Sequence, residues 1–381
     1  MKDTLLEQID LLFEQYVRIW EDVCNIESPT HDKAGVDEVG TYFIKYAQAR
    51  GWRVEVTEYE RAGNVVTVTA NPDAPGAPIA FSGHMDTVHE RGSFGYPPTK
   101  IVGDTIYGPG VTDCKGGIVA GFLAMDALCR AGYCARPLKM YLQSDEEGGG
   151  KFSADATILG ICEDAKGSVA FFNLEGYEGG ICVERKGIAT FEFLVEGVEA
   201  HSAACATRGA NAILEAAYKI IELEKFKDRS GLTCSCTVIK GGTKHNIVPG
   251  ECRFSANVRF ANNAQLDSFR EFCDKLCGDI KVEGCKCSYV LPRVRPAMEN
   301  CERNLNLARR INEIWRECGL SEMAFIRKLG GSDAAFATSA GIPCIDSLGT
   351  AGGKIHTVYE YSEIPSLREH AMRLALASLY L

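Results

Sequence analysis

Three short apolar segments in the first half of the chain each run into residues whose side chains bind metal ions. The segments and the polar residues that follow them are 78–82 with His84, 138–143 with Glu146 and Glu147, and 169–174 with Glu175. Segments with helical spacing separate them, and strands that alternate with helices are typical of an α/β layer fold. Because α/β sheets bind ligands at the carboxyl ends of their strands, we expect these side chains to share one site.

The pattern changes at about Gly187. The next strand-like and helix-like segments follow the order β-α-β-β-α-β of a ferredoxin-like module; they are 188–195, 210–223, 233–239, 252–259, 266–277 and 282–291. After Pro296 the α/β pattern resumes. The sequence therefore predicts an α/β domain formed by residues 1–186 and 295–381, and an inserted α+β domain at 187–294.

Charge and hydropathy exclude several classes of partner. The formal net charge is −10, from 51 acidic and 41 basic residues, whereas nucleic acids and anionic membranes require a basic surface. No apolar run is long enough to span a bilayer, and the amphipathic N-terminal segment lacks the basic-then-apolar order of a signal peptide. We therefore expect a soluble, cytoplasmic protein with no nucleic-acid or membrane partner.

The odd number of cysteines, 17, favours free thiols over a disulfide framework.

The sequence His84, Met85, Asp86 follows the first of the three segments. Residues two apart on a strand point the same way, so the carboxylate of Asp86 can hydrogen-bond the second ring nitrogen of His84. Such a contact fixes the tautomer of a metal-binding histidine and raises its basicity. Taken alone, however, a histidine satisfied in a turn explains the motif more simply.

A glycine-rich segment, 108–117, contains Asp113 directly before a helix of small residues. Its glycines allow tight turns and close approach to a ligand, and a carboxylate at this point can bridge two cations. In the acidic sequence after the second segment, Glu146 and Glu147 point to different sides, so one can bind metal while the other acts as general base. Taken singly, Asp113 fits a helix cap and the glutamates fit a solvated turn.

Considered together, these residues form a ligand set that the simpler explanations do not account for. Its members are two histidines and three carboxylates, namely His84, Asp113, Glu147, Glu175 and His356. They provide each of two metals with one histidine, one terminal carboxylate and a share of a bridging carboxylate. That is the ligand count of a co-catalytic zinc pair, with positions left for a water.

The order and spacing of these motifs resemble the M20 metallopeptidase family and, within it, the glutamate carboxypeptidases. The matching segments cover nearly the whole chain; they are 82–88, 107–110, 113–117, 145–147, 200–203, 246–249, 257–259, 295–297, 330–335 and 348–349. The resemblance implies that residues 1–186 and 295–381 form a zinc-exopeptidase-like catalytic domain, with a mixed sheet flanked by helices. It also implies that the inserted domain serves as a lid and as the dimerisation domain of a homodimer.

The resemblance assigns roles within the catalytic domain. It implies two zinc ions per subunit, with cobalt or manganese as alternatives, held by His84 and Glu175, by Glu147 and His356, and by Asp113 as the bridge. Glu146 is expected to take a proton from a water and to deliver it to the leaving nitrogen of the amide. Asp86 is expected to support His84. The peptide bond between Asp113 and Cys114 is expected to be cis.

Further residues match positions that line the substrate pocket in the family; they are His201, Asn246, Arg259, Arg295 and Gly331. The resemblance implies that His201 comes from the partner subunit and stabilises the oxyanion. Arginine suits the binding of a substrate carboxylate, because its planar group pairs both oxygens.

The chain departs from its most similar relatives at several positions. Cys114 replaces a second aspartate, and Glu175 is followed by glycine and tyrosine instead of proline. A basic pocket residue from the loop after Glu175 has no clear counterpart, although Arg185 or Lys186 lies nearby in sequence. These departures leave the metal site unchanged and leave selectivity for glutamate open.

The sequence therefore predicts a di-zinc hydrolase of a small peptide or an N-acyl amino acid, similar to a glutamate carboxypeptidase. An N-acyl amino acid deacylase of the acetylornithine deacetylase type and a di- or tripeptidase are alternatives with the same metal centre. A binding module without catalysis is the remaining alternative, and the complete ligand set argues against it.

Overall fold

The computed structural model describes the whole chain, Met1–Leu381. The chain forms two compact units. Unit 1 comprises Met1–Val183, Asn300–Arg327 and Ser332–Leu381, and unit 2 comprises Glu184–Glu299 and Lys328–Gly331. Unit 2 thus includes the predicted inserted domain and also a short segment that lies far from it in sequence.

The chain contains nine α-helices and one short 3-10 helix. Their bounds are α1 (Lys2–Asn25), α2 (Lys33–Gln48), α3 (Lys115–Arg130), α4 (Ala156–Asp164), η1 (Ser202–Ala204), α5 (Ala212–Leu223), α6 (Asn263–Gly278), α7 (Glu302–Glu317), α8 (Ala334–Ser339) and α9 (Ile364–Tyr380). None of the helices combines the length and the apolar character needed to cross a membrane. All 17 cysteines are free thiols.

The chain contains eighteen strands, of which β8 and β15 each cross a boundary between the two units. Their bounds are β1 (Arg53–Thr57), β2 (Val65–Ala70), β3 (Ile79–His84), β4 (Lys100–Val102), β5 (Thr105–Tyr107), β6 (Leu138–Gln143), β7 (Ala170–Asn173), β8 (Ile181–Arg185), β9 (Gly187–Glu196), β10 (Ala200–His201), β11 (Thr233–Gly241), β12 (Ile247–Val248), β13 (Glu251–Phe260), β14 (Lys286–Arg295), β15 (Phe325–Lys328), β16 (Cys344–Ile345), β17 (Gly352–Gly353) and β18 (Tyr361–Glu363).

Unit 1 contains a mixed six-stranded sheet in the order β1-β2-β6-β3-β7-β16. Strands β6, β3, β7 and β16 run parallel, whereas β1 and β2 pair antiparallel. Strand β3 is buried along its whole length, as expected for a central parallel strand covered on both faces. Helices α1, α3 and α9 pack against one another, and α3 also contacts β3 and β6. The predicted mixed sheet flanked by helices is confirmed.

Helix α3 lies unusually close to the end of strand β7. A Cβ atom added at Gly117 would lie 1.9 Å from the backbone oxygen of Leu174, far inside normal contact distance. Leu174 in turn donates its amide to Ser82 of β3 at 2.8 Å. Glycine at this point of the helix therefore sets the position of the chain immediately before Glu175.

Unit 2 contains a four-stranded antiparallel sheet in the order β11-β13-β9-β14. Helices α5 and α6 pack on it through a core of aromatic rings, in which Phe193 stacks on Phe254 at 4.6 Å and Phe191 meets Phe269 edge-on at 5.1 Å. The element order and the strand order are those of a ferredoxin-like module, as the sequence predicts.

Candidate active site

The parallel strands of unit 1 bring the predicted metal ligands to one edge of the sheet. In the register of β3 and β6, His84 lies opposite Gln143, and the chain continues from there to Glu146 and Glu147. On the other side of β3, strand β7 ends at Asn173, two residues before Glu175. The apolar strands thus end at the same level, and their polar successors converge.

The side chain of Asp113 lies between two histidines. Its Oδ1 is 3.1 Å from Nε2 of His84, and its Oδ2 is 3.1 Å from Nε2 of His356. Nε2 of His84 is also 3.9 Å from Oε1 of Glu175, and Nε2 of His356 is 3.3 Å from Oε2 of Glu147. Each carboxylate oxygen of Asp113 therefore faces a different histidine, which is the arrangement that a bridging carboxylate requires.

Glu146 lies in the same cluster. One ligand atom from each of His84, Glu146 and Glu175 lies within 4.8 Å of the other two, and the same holds for His84, Asp113 and Glu147. The carboxylate of Glu146 is therefore close enough to the cluster for proton transfer to a water bound there, and close enough to be a ligand itself.

The side chains of the cluster have pKa values shifted by burial and by one another. Burial, above all, raises the pKa of Glu147 to about 7. Hydrogen bonds with Asp113 and Glu147 raise the pKa of His356 to about 11. Contacts with Cys114, Asp113 and Asp86 raise the pKa of His84 well above its usual value, although burial opposes this. Both histidines thus lie beside carboxylates, and divalent metal ions fit the same oxygen and nitrogen donors.

Asp86 contacts the ring of His84 through both its backbone and its carboxylate. The nearest partner of Nδ1 of His84 is the backbone oxygen of Asp86 at 2.9 Å, and the carboxylate oxygen is 3.5 Å away. The same carboxylate also accepts hydrogen bonds from the amides of Glu146 at 3.2 Å and Glu147 at 3.0 Å, and from the hydroxyl of Thr30 at 2.8 Å.

Cys114 contacts His84 through its sulfur. The Asp113–Cys114 peptide bond is cis, as predicted. The amide of His84 donates to Sγ of Cys114 at 3.0 Å, and burial raises the pKa of this thiol to about 12. Cys114 is therefore a neutral thiol that holds the backbone of a predicted ligand, a role that its replacement of aspartate did not reveal.

Two buried charged residues near the site escaped the sequence analysis. Glu360 accepts hydrogen bonds from the amides of Thr112 and Asp113 at 2.9 and 3.1 Å. Lys115 donates from Nζ to the backbone oxygen of Ile26 at 2.7 Å, at the end of α1. In the sequence, only the four-residue spacing from His356 to Glu360 and the position of Lys115 next to Cys114 could have drawn attention to them.

The predicted substrate residues lie in unit 2. His201 is exposed and sits opposite Ile247 in the short β10–β12 pairing. The amide of Ser202 donates to the backbone oxygen of Asn246 at 2.9 Å. The segments that carry His201 and Asn246 are therefore joined side by side.

Arg259 and Arg295 lie on the two strands that flank β9, and both pair with Ile188 in register. Residues at the same level of a sheet point to the same face. Burial first, and then the charge of Arg295, lowers the pKa of Arg259, which places two like charges near each other. A Cβ atom at Gly331 would lie 2.7 Å from Cδ of Arg295, so any larger residue there would require the Arg295 side chain to move. The pair suits an anionic group.

Comparison with known proteins assigns the family. The sequence profile of Peptidase family M20/M25/M40 matches residues 80–379. The chain belongs to this family. It is 28% identical over 360 residues to Carboxypeptidase G2 of a Pseudomonas species, and the aligned region covers 92% of this chain and 85% of the relative. It is 27% identical over 319 residues to a probable succinyl-diaminopimelate desuccinylase of Staphylococcus aureus, which covers 72% of this chain and 76% of the relative.

Solved structures agree in fold. Aminopeptidase PepT of Bacillus cereus superposes with a TM-score of 0.77 at 20% identity, over 96% of this chain and 97% of that one. A dinuclear metal-binding peptidase of the M20 family from Bacillus subtilis superposes with a TM-score of 0.71 at 15% identity, over 97% and 98%. The predicted family and enzyme class are confirmed: the chain is a metal-dependent hydrolase of amide bonds.

Proposed function

We propose that this M20 peptidase binds two zinc ions per subunit and cleaves the amide bond of a small peptide or N-acyl amino acid with a free carboxylate, as a glutamate carboxypeptidase-like exopeptidase. The observation that carries the proposal is the position of Asp113, whose two oxygens lie 3.1 Å from Nε2 of His84 and of His356. Cobalt and manganese are alternative metals with the same donors.

The proposed ligands divide into two sets around Asp113. His84 and Glu175 would hold one ion, and Glu147 and His356 the other. When bound there, such ions lower the pKa of a water towards neutrality and polarise the substrate carbonyl.

The remaining catalytic roles fall to residues of the chain itself. Glu146 would take the proton of the attacking water and return it to the leaving nitrogen. The carboxylate of Asp86 keeps the backbone of Glu146 and Glu147 in place through two hydrogen bonds. His201 would donate to the oxyanion of the tetrahedral intermediate.

The substrate class rests on Arg259, Arg295 and Asn246. Two arginines at one level of the sheet favour a carboxylate of the substrate, which they can pair through two hydrogen bonds each. The match to Carboxypeptidase G2, at 28% identity over 92% of this chain, supports a carboxypeptidase. The likeness to a desuccinylase favours an N-acyl amino acid deacylase as the second candidate.

The proposal is tested by metal analysis together with a substrate screen. The protein should bind two zinc ions per subunit, lose hydrolysis when a chelator removes them, and recover it on readdition. Peptides with a carboxy-terminal glutamate should be cleaved faster than N-succinyl and N-acetyl amino acids. Exclusive cleavage of the acyl compounds would establish the deacylase instead, and a protein that binds no metal would refute both.

The role of Arg259 gives a separate prediction. Replacement of Arg259 by glutamine should lower kcat/KM for substrates with a free carboxylate. The expected loss of binding free energy is about 2 to 5 kcal/mol, because a charged partner in a desolvated pocket is lost. Substrates with an amidated carboxylate should lose much less. Arg253 is the matched control, since it lies on the same strand, is exposed and pairs with Glu251 at 2.8 Å. Equal losses on both substrate types would refute the carboxylate contact.

We also propose a homodimer formed through unit 2. Helix α5 exposes four large apolar side chains, Ile213, Leu214, Tyr218 and Ile221. The neighbouring strand β11 is an edge of its sheet and exposes Val238 and Ile239. An apolar helix face beside an open edge suits a twofold contact that buries both. Cytoplasmic location stays a prediction.

A further inference from the structure

Glu360 is a buried carboxylate that none of the proposed ligand or substrate roles uses. Its side chain is 1% exposed. Oε1 accepts hydrogen bonds from the amides of Thr112 at 2.9 Å and Asp113 at 3.1 Å. Oε2 lies 2.8 Å from Nε2 of His89 and accepts a longer hydrogen bond from the amide of Gly110 at 3.4 Å. A charge buried to this extent requires such a set of partners.

The contacts of Glu360 join three segments that each carry a proposed metal ligand. His89 follows His84 in the same segment, and the loop from Gly110 ends at Asp113. Glu360 itself follows His356 by four residues. One carboxylate therefore fixes the spacing of the segments that hold both histidines and the bridging aspartate.

The loop of Asp113 depends on this carboxylate for its conformation. Three of its amides, those of Gly110, Thr112 and Asp113, converge on the oxygens of Glu360. Successive amides that point into one concavity stabilise an anion there. Without the anion, these buried donors would lose their partners, and the loop would relax to satisfy them elsewhere.

The ring of His89 is itself held in place. It is 8% exposed and meets the ring of Phe94 edge-on at 4.8 Å. With one ring nitrogen directed at Glu360, His89 orients the carboxylate, and the carboxylate orients the loop. His89 is not one of the proposed metal ligands, and its ring contacts Glu360 and Phe94.

We infer that Glu360 is a positioning residue: it presets Asp113 between His84 and His356, so that the two metal ions bind to a site already formed. The inference rests on the proposed two-metal function. Glu360 acts through the amide of Asp113 and makes no contact with metal or substrate. Contacts that orient metal ligands typically change metal affinity by about 10- to 100-fold when removed.

The test compares Glu360→Ala, Glu360→Gln and a control. Glutamine keeps one oxygen for Thr112 and Asp113 but turns an NH₂ group towards the amide of Gly110. The control is Asp126→Asn. Asp126 is also buried, and it lies in helix α3, eleven residues after the start of that helix. Its carboxylate accepts hydrogen bonds from Arg50 at 2.9 Å and from Arg130 at 3.0 Å. Zinc affinity is measured by competition with a chromophoric chelator, and hydrogen exchange of the Thr112 and Asp113 amides is measured in metal-free protein.

The two measurements separate positioning from general stability. Glu360→Ala should lower zinc affinity by about 10- to 100-fold, Glu360→Gln by less, and both should speed exchange of the two amides. Asp126→Asn should lower the melting temperature but leave zinc affinity and these amides unchanged. If Glu360→Ala does not fold, Glu360→Gln decides alone.

Two outcomes would overturn the inference: wild-type zinc affinity in a folded Glu360 variant, or an equal loss of affinity in the Asp126 control. A wild-type protein that binds no zinc would instead refute the proposed function. In that case, exchange of the two amides still decides whether Glu360 fixes the loop.

Discussion

Replacement of Glu146 by glutamine should lower kcat by about 100- to 10,000-fold while the protein still binds two zinc ions, because a general base is lost and no ligand is lost. The position of Glu146 supports this result. Its amide is held by the carboxylate of Asp86 at 3.2 Å, and its side chain lies in one cluster with His84 and Glu175. Zinc content by elemental analysis and kcat on the best substrate of the screen are the measurements.

Glu147→Gln is the matched control for this prediction. Glu147 lies next in the chain, is held by the same Asp86 carboxylate at 3.0 Å and lies 3.3 Å from Nε2 of His356. Its variant should lose zinc along with activity. If the Glu146 variant loses zinc and the Glu147 variant keeps it, the two roles must be exchanged. Near-normal kcat in the Glu146 variant would remove the base assignment.

Activity should reappear when two inactive variants form mixed dimers. Glu146→Ala and His201→Ala should each be nearly inactive as homodimers. If His201 acts on the site of the partner, a mixed dimer has one site with both residues intact. Random mixing makes half of the dimers mixed, with one intact site of two, so refolding equal amounts together should restore about a quarter of wild-type activity.

The mixed-dimer experiment needs proof that the subunits exchange. Two affinity tags, one on each variant, allow the mixed dimers to be isolated before the assay. His31→Ala is a control for surface histidines, since His31 is exposed and pairs only loosely with Glu90 at 3.6 Å; it should be fully active. Isolated mixed dimers without activity would show that His201 serves its own chain, and a protein that stays monomeric would refute the dimer.

The fold, and the convergence of the proposed ligands at one edge of the sheet, could be predicted because their signals are local in sequence. Each parallel strand is a short apolar run, and a parallel register places the ends of such runs together without further information. This is why His84, Glu147 and Glu175 could be grouped from the sequence alone. The ferredoxin-like order of unit 2 was equally accessible from alternating segments.

The contacts that hold the cluster could not be predicted, because they join backbone atoms of distant segments. The carboxylate of Asp86, which lies 3.5 Å from Nδ1 of His84, also accepts hydrogen bonds from the amides of Glu146 and Glu147. Glu360 accepts from amides almost 250 residues away in sequence. Backbone donors carry no signature in a sequence, so their partners appear only in the structure.

The close approach of helix α3 to Leu174 makes Gly117 useful as a marker when related genes are screened. Any side chain there would overlap the backbone oxygen that precedes Glu175, at 1.9 Å from the first added carbon. A gene that encodes all the proposed ligands but a larger residue at this position would have to rebuild one of its metal sites. Checking this codon therefore adds information that a count of ligands alone does not contain.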